Sequence, residues 1–174
     1  MNEQQKTEER KKKFKSFFNN KYSLILLGVL IFSAVIFFYY LSITSQQPLW
    51  WDEAEYMSIA KQWAFNVPYQ IDPARPPLFP FLAFPLFKIG LSEILVKFII
   101  VTLPAWLVVL FTYLLIKEMY NKKIALLTAF ITSVSWIHVF YSQRIMTDSI
   151  GLLFGILAFF FFWKGYIKKQ NKKY

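Results

Sequence analysis

"YSLILLGVLIFSAVIFFYYLSI", Tyr22 to Ile43, decides the fold of this chain. It carries no charged residue and is long enough to cross a bilayer, which takes ~20 apolar residues in a helix. The basic leader ahead of it resembles that of a signal peptide. The apolar run is too long for one, however, and no A-x-A site follows, so an uncleaved anchor is expected. Phe37, Phe38, Tyr39 and Tyr40 then form an aromatic belt at the far boundary.

Composition extends this reading to the whole chain. Its 174 residues are 56% hydrophobic and 21% aromatic, with 20 phenylalanines and no cysteine. An aromatic load of this size, delivered in long blocks instead of short periodic stripes, makes lipid the expected solvent. Disulfides and thiolate metal sites are excluded. The formal charge of +10 would suit a nucleic-acid partner if it were gathered on one surface, but it is divided into blocks. Residues 1–21 hold seven Lys/Arg against three acids, residues 117–123 three lysines against one acid, and the tail from Lys164 five lysines and no acid. Basic blocks alternating with apolar spans are topology signals, so the expected partner is a membrane and not nucleic acid.

Three further spans are expected, at about 94–116, 124–141 and 149–167. Glu93 and Lys97 lie one turn apart at the entry to the first of these and are expected to pair. Pro104 is expected to kink that span, and Gly151 and Gly155 in the last are spaced for close helix contact. The block "PPLFPFLAFPLFKIG", residues 76–90, is too short to span and is interrupted by Pro80 and Pro85, so it reads as a juxtamembrane or re-entrant helix. Four spans put all three basic blocks on one face and Asp52, Glu53 and Asp148 on the other; a fifth would break that pattern. The expected fold class is all-α integral membrane, with about four transmembrane helices plus juxtamembrane helices in the first outer loop. The expected order is a basic cytoplasmic tail at 1–21, a transmembrane module at 22–167 and a second basic cytoplasmic tail at 168–174. The module has a long outer loop at 44–92 and a short one at 142–148. The host membrane would be the cell membrane of a prokaryote or the endoplasmic reticulum of a eukaryote.

The residues able to carry chemistry lie in those two loops. In "LWWDEAEYMSIAKQWA", Leu49 to Ala64, Asp52 and Glu55 have the spacing of a capping box. Tyr56, Ile59, Ala60 and Trp63 then recur at helical intervals, as in an interfacial helix. That leaves Glu53, Trp50 and Trp51 unexplained. In "SQRIMTDSIG", Thr147 or Asp148 can cap the last span, while Arg144 sits at a boundary far from the basic blocks. An arginine there calls for Asp148, a lipid phosphate or an anionic substrate as its partner. Asp72 and Arg75 pair with each other or face water. His138, the only histidine, reads more readily as a hydrogen-bonded packing residue than as a ligand. No Gly-rich phosphate loop, HExxH, GxSxG or EF-hand pattern occurs. A small transporter would need ionisable groups in mid-span, and the centres of the expected spans have none.

"WWDEAEYMSIAKQWA", "RPPLFPFLAFPLFKIGLSE" and "YSQRIMTDSIGLLFG" follow one another in the order and spacing seen in GT-C membrane glycosyltransferases. The chain resembles those of the protein O-mannosyltransferase and aminoarabinose-transferase group over most of Tyr22 to Trp163. The resemblance implies an inverting enzyme of protein glycosylation type. It would transfer a sugar from a polyprenyl-phosphate donor to a hydroxyl of a protein or lipid acceptor on the non-cytoplasmic face. By position Asp52 would be the catalytic base, with Glu53 beside it, and Asp148 would help to build the same site. Arg144 would contact the donor phosphate; Arg75 or a divalent metal is the alternative source of positive charge. Relatives of the aminoarabinose-transferase branch carry a metal-binding carboxylate where Ala74 stands, which leaves Asp72 or His138 as candidate ligands. Chains of this kind have several times as many transmembrane helices. A fragment, a split subunit with a second chain supplying the missing helices, or a degenerate copy is therefore implied. The competing expectation is a non-catalytic four-helix membrane protein, an accessory subunit or truncated remnant.

Overall fold

The computed structural model describes residues 5, 20–68 and 75–167. Asp72 and most of both basic tails lie outside these residues. Among the described residues the secondary structure is helical throughout: α1 Lys21–Thr44, α2 Trp51–Phe65, α3 Leu78–Lys88, α4 Glu93–Met119, α5 Lys122–Val134, α6 Trp136–Tyr141 and α7 Asp148–Ile167. Three of them, α1, α4 and α7, are long and apolar enough to cross a membrane, and α3 is a shorter apolar helix. The chain is an all-α integral membrane protein.

Residues 124–141, expected to form one span, do not form one helix. Ser135, with ψ of 124°, separates α5 from α6. The local sequence permits the break without dictating it: Val134 is stiff at its branched Cβ, and serine competes with the helix for backbone hydrogen bonds. Beyond the break, α6 is held to α4 by His138, whose Nε2 lies 3.0 Å from the Ala105 carbonyl oxygen. In α4 the irregularity expected at Pro104 takes the form of a π-helical turn over Phe98–Thr102. Pro104 has no N–H to give to Ile100, and just ahead of it Leu103 N–H donates to the Phe98 carbonyl, five residues back.

Two apolar clusters hold the helices together. Tyr56, Met57 and Ala60 of α2 meet Phe79, Ala83 and Phe87 of α3, and both meet Val96, Ile100 and Val101 of α4. The spacing of four along α3 puts its three core residues on one face, which is why so short a helix packs well. In the second cluster, Ala105, Val109 and Tyr113 of α4 lie against Ala125 and Ala129 of α5 and Leu26 and Phe37 of α1. Alanines in such rows let helix backbones approach closely. Trp106 Nε1 adds a 2.9 Å hydrogen bond to the Leu30 carbonyl of α1. The other faces display Ile31, Val35, Phe38, Phe159, Phe161 and Phe162, as lipid contact requires. The expected role of Gly151 and Gly155 is not realised here, since a Cβ added to either would meet nothing within 4 Å. Only 11% of the apolar stretch of α7 is buried, against 50% for α4.

Gly90 makes the turn that joins α3 to α4. At φ 86° it is left-handed. Its N–H donates to Phe87 O at 2.9 Å, and Leu91 N–H donates to Leu86 O at 3.1 Å. These bonds close a Schellman motif. Gly90→Ala is therefore expected to destabilise the fold by about 1 kcal/mol. Gly90→Asn should cost less, because asparagine tolerates this conformation. Unfolding in mixed micelles measures both; equal stability of the alanine variant and the parent would refute the strain argument.

Candidate functional site

The first turn of α2 organises the loop end of the helix bundle. Trp50 is the N-cap, and its N–H donates to Glu53 Oε2 at 2.8 Å while its carbonyl accepts from Ala54 N–H at 2.9 Å. The helix thus starts two residues earlier than the Asp52/Glu55 spacing suggests, and Glu53, three residues past the cap, closes it. Tryptophan offers no oxygen to complete the box. Its ring instead lies 4.1 Å from the guanidinium carbon of Arg144 and 5.5 Å from the Phe140 ring.

Glu53 is 1% exposed. Its Oε1 accepts from Ile145 N–H at 2.8 Å, and its Oε2 also accepts from Arg144 Nη1 at 3.2 Å. One carboxylate therefore ties the start of α2 to the 142–147 loop. Arg144, itself buried, stacks on Trp50 and approaches Phe140 at 5.5 Å. Asp148, expected among its partners, is not the one it takes. Lys97 is buried in the electrostatic neighbourhood of Glu53 and Arg144, and its Nζ donates to Thr44 Oγ1 at 3.0 Å. The expected Glu93–Lys97 pair does not form; Glu93 pairs with Lys61 of α2. The position of Lys97 between Val96 and Phe98 was the available signal, because a lysine inside an apolar block must find an internal partner.

Asp52, next to Glu53, points the other way. Its side chain is 45% exposed, and its Oδ1 accepts from Arg75 Nη2. Arg75 Nε also donates to Glu55 Oε2 at 2.7 Å, and the guanidinium lies 5.9 Å from the Tyr56 ring. The hydrogen bond to Glu55, followed by the bond and charge of Asp52, outweighs desolvation and holds the Arg75 guanidinium well above its ordinary pKa. Glu55, read from the sequence as the far arm of a cap, is instead the second acid on this arginine. Asp52 Oδ2 makes no hydrogen bond among the described residues.

Asp148 stands apart from both groups. It occupies the exposed first turn of α7, where a carboxylate complements the helix dipole, and Thr147 at the N-cap makes no side-chain cap bond. Together with Thr132, Ser135, His138 and Tyr141 it lines a cavity of about 510 Å³ between α5, α6 and α7. The His138 ring also packs edge-on against Phe37 at 5.5 Å, so both its contacts are structural. Among the described residues no three His, Asp or Glu side chains are grouped to hold a metal ion, and Asp72 lies outside them. A second cavity, of about 190 Å³, opens where the end of α1 faces α6, with Tyr40, Thr44, Trp136, Phe140, Gln143 and Arg144 in its walls.

Removing the Glu53 charge should be costly, since it leaves Arg144 buried without its counter-ion. Glu53→Gln is expected to destabilise the protein by about 3 kcal/mol. Glu55→Gln, at the partly exposed Arg75 that keeps Asp52 as a second counter-ion, should cost no more than about 1 kcal/mol. Chemical unfolding of the two variants side by side checks this; a Glu53→Gln loss no larger than that of Glu55→Gln would refute the buried latch.

Residues 74–174 match the family described as dolichyl-phosphate-mannose-protein mannosyltransferase. The matched stretch contains Arg75, Lys97, Arg144 and Asp148, and Asp52 and Glu53 precede it. No curated protein and no solved structure matches the chain. The match covers more than half of the sequence, and its membrane helices and the polar cluster at their loop end suit a membrane glycosyltransferase. The chain belongs to the dolichyl-phosphate-mannose-protein mannosyltransferase family.

Proposed function

We propose that this chain forms the catalytic face of an inverting glycosyltransferase that moves a sugar from a polyprenyl-phosphate donor to an acceptor hydroxyl on the non-cytoplasmic side of the membrane. The observation that carries the reading is the division of labour between adjacent acids. Glu53 is buried and saturated by Trp50, Arg144 and Ile145, whereas Asp52 keeps one oxygen open at a half-exposed position. Glu53 supports the site and Asp52 acts in it.

In this scheme Asp52 Oδ2 takes the proton of the acceptor hydroxyl as its oxygen attacks the anomeric carbon. The bond from that carbon to the phosphate oxygen breaks on the opposite face, and the lipid phosphate leaves with the electron pair. Arg144 and Arg75 are the cations close enough to the two acids to offset the charge that develops there. Arg75 already holds Asp52 Oδ1, which fixes the direction of the open oxygen. Asp148 borders the neighbouring cavity and contributes to the acceptor side. The positive-inside rule applied to the basic blocks supports a cytoplasmic position for both termini, a reading in which α5 and α6 together make a fourth, broken crossing.

Asp52→Asn tests the assignment. The variant should insert and fold like the parent, because Glu53 and not Asp52 closes the helix cap. Transfer from a lipid-phosphate-linked mannose in proteoliposomes should fall ~100-fold or more, the contribution of a general base. Undiminished transfer by the folded variant would exclude Asp52 as the base.

A further inference from the structure

Gln143 holds an oxygen that the rest of the described structure does not satisfy. The residue is 2% exposed, and its Nε2 donates to Ser142 Oγ at 2.7 Å. Ser142 Oγ gives its single proton to the Val139 carbonyl at 2.7 Å, so toward Gln143 it can only accept. That fixes the orientation of the amide. Gln143 Oε1 is then left buried, an acceptor with no donor among the described residues. A buried acceptor in this state calls for a donor from outside the protein.

Gln143 lines the 190 Å³ cavity, and the other walls say what kind of donor fits. Thr44 is committed, accepting from Lys97 Nζ and donating to Leu41 O at 3.4 Å. Arg144 uses Nη1 on Glu53 and has further N–H groups. Tyr40, Trp136 and Phe140 supply aromatic surface. A purely apolar ligand would leave Oε1 unsatisfied, and an anionic group set against Oε1 would meet an acceptor there, while the Arg144 charge is already shared with Glu53. A neutral ring that carries hydroxyls and presents C–H faces to aromatic side chains satisfies all of these walls.

We infer that this cavity receives the sugar ring of the donor and that Gln143 Oε1 accepts a hydrogen bond from one ring hydroxyl, making Gln143 a determinant of which sugar is used. This rests on the glycosyl-transfer reading above. It places the ring beside Arg144, whose guanidinium stacks on Trp50, the N-cap of the helix that carries Asp52. A site built to bond a hydroxyl rejects the analogue that lacks it far more strongly than a site of equal shape without the acceptor.

The test is equilibrium binding to the full chain in lipid nanodiscs, with methyl mannoside, glucoside and galactoside and the monodeoxy analogues of whichever binds best. One monodeoxy analogue should bind ~10-fold or more weakly than its parent. Gln143→Leu should weaken the parent to the level of that analogue and abolish the distinction. Gln143→Met, of similar length and without an acceptor, should behave as Gln143→Leu does, and an unchanged tryptophan fluorescence spectrum and size-exclusion profile of both variants is the control for folding. Absence of hexoside binding to the wild-type chain, or unchanged discrimination by Gln143→Leu, overturns the inference and leaves Oε1 bonded to a buried water only. Binding and turnover separate the two readings. Discrimination by the wild type without any transfer from lipid-linked sugar supports the cavity and sinks the transferase reading. Transfer that Gln143→Leu leaves equally selective does the reverse.

Discussion

The carboxylate of Glu53, buried between two loops, is the interaction on which the loop end of this molecule depends. It closes the cap of α2, anchors the backbone at Ile145 and neutralises Arg144. Arg144 takes this buried anion as its counter-ion, and the buried Lys97 stands in the same electrostatic neighbourhood. An ion group of this kind is a weak source of net stability, because desolvation offsets most of the attraction. What it does supply is registration: the start of α2 cannot slide against the 142–147 loop without leaving a charge unpaired in a region of low dielectric. Asp52, one residue away, inherits its position from that constraint and needs no packing of its own.

Much of the architecture was legible from blocks of apolar sequence, because lipid forces every backbone polar group into helices and a span needs a minimum length. The uncharged run at Tyr22 to Ile43 and the short proline-interrupted block before Gly90 both read directly as what they form, α1 and α3. The break at Ser135 was hidden, since Val134 and Ser135 carry only modest local penalties that hydropathy does not register. Which acid caps α2 was also hidden. Asp52 and Glu55 have the right spacing, but so do Trp50 and Glu53, and the choice between the two frames was made by Arg144 and Ile145, more than 90 residues later. Distant partners likewise separate Glu93 from Lys97, since Lys61 takes the one and Thr44 the other. The acids and arginines at Asp52, Glu53, Arg75 and Arg144 were legible as a set; their pairing was not.

The break between α5 and α6 and the latch at Glu53 together shape the space around the site. Because α6 is a separate short helix, its two flanks face different cavities. Ile137, His138 and Tyr141 border the larger one with Asp148; Trp136 and Phe140 border the smaller one with Arg144 and Gln143. A continuous helix through 122–141 would carry those side chains on a single regular spiral. Family membership supplies the class of chemistry. The two spaces lie on either side of one short helix.

The latch also sets an order of assembly. Glu53 and Arg144 lie 91 residues apart, so the first member of the pair is made and delivered long before its partner exists. Until α4, α5 and α6 are in place, Glu53 has only water and its own helix cap for company, and the α2–α3 platform rests on its apolar contacts and on the Arg75 pairs with Asp52 and Glu55. Long-range contacts of this kind form late in folding and close slowly. The loop end of the bundle is therefore the last part to mature. Until then Glu53 and Arg144 stay apart, and only the docking of the 142–147 loop brings them together.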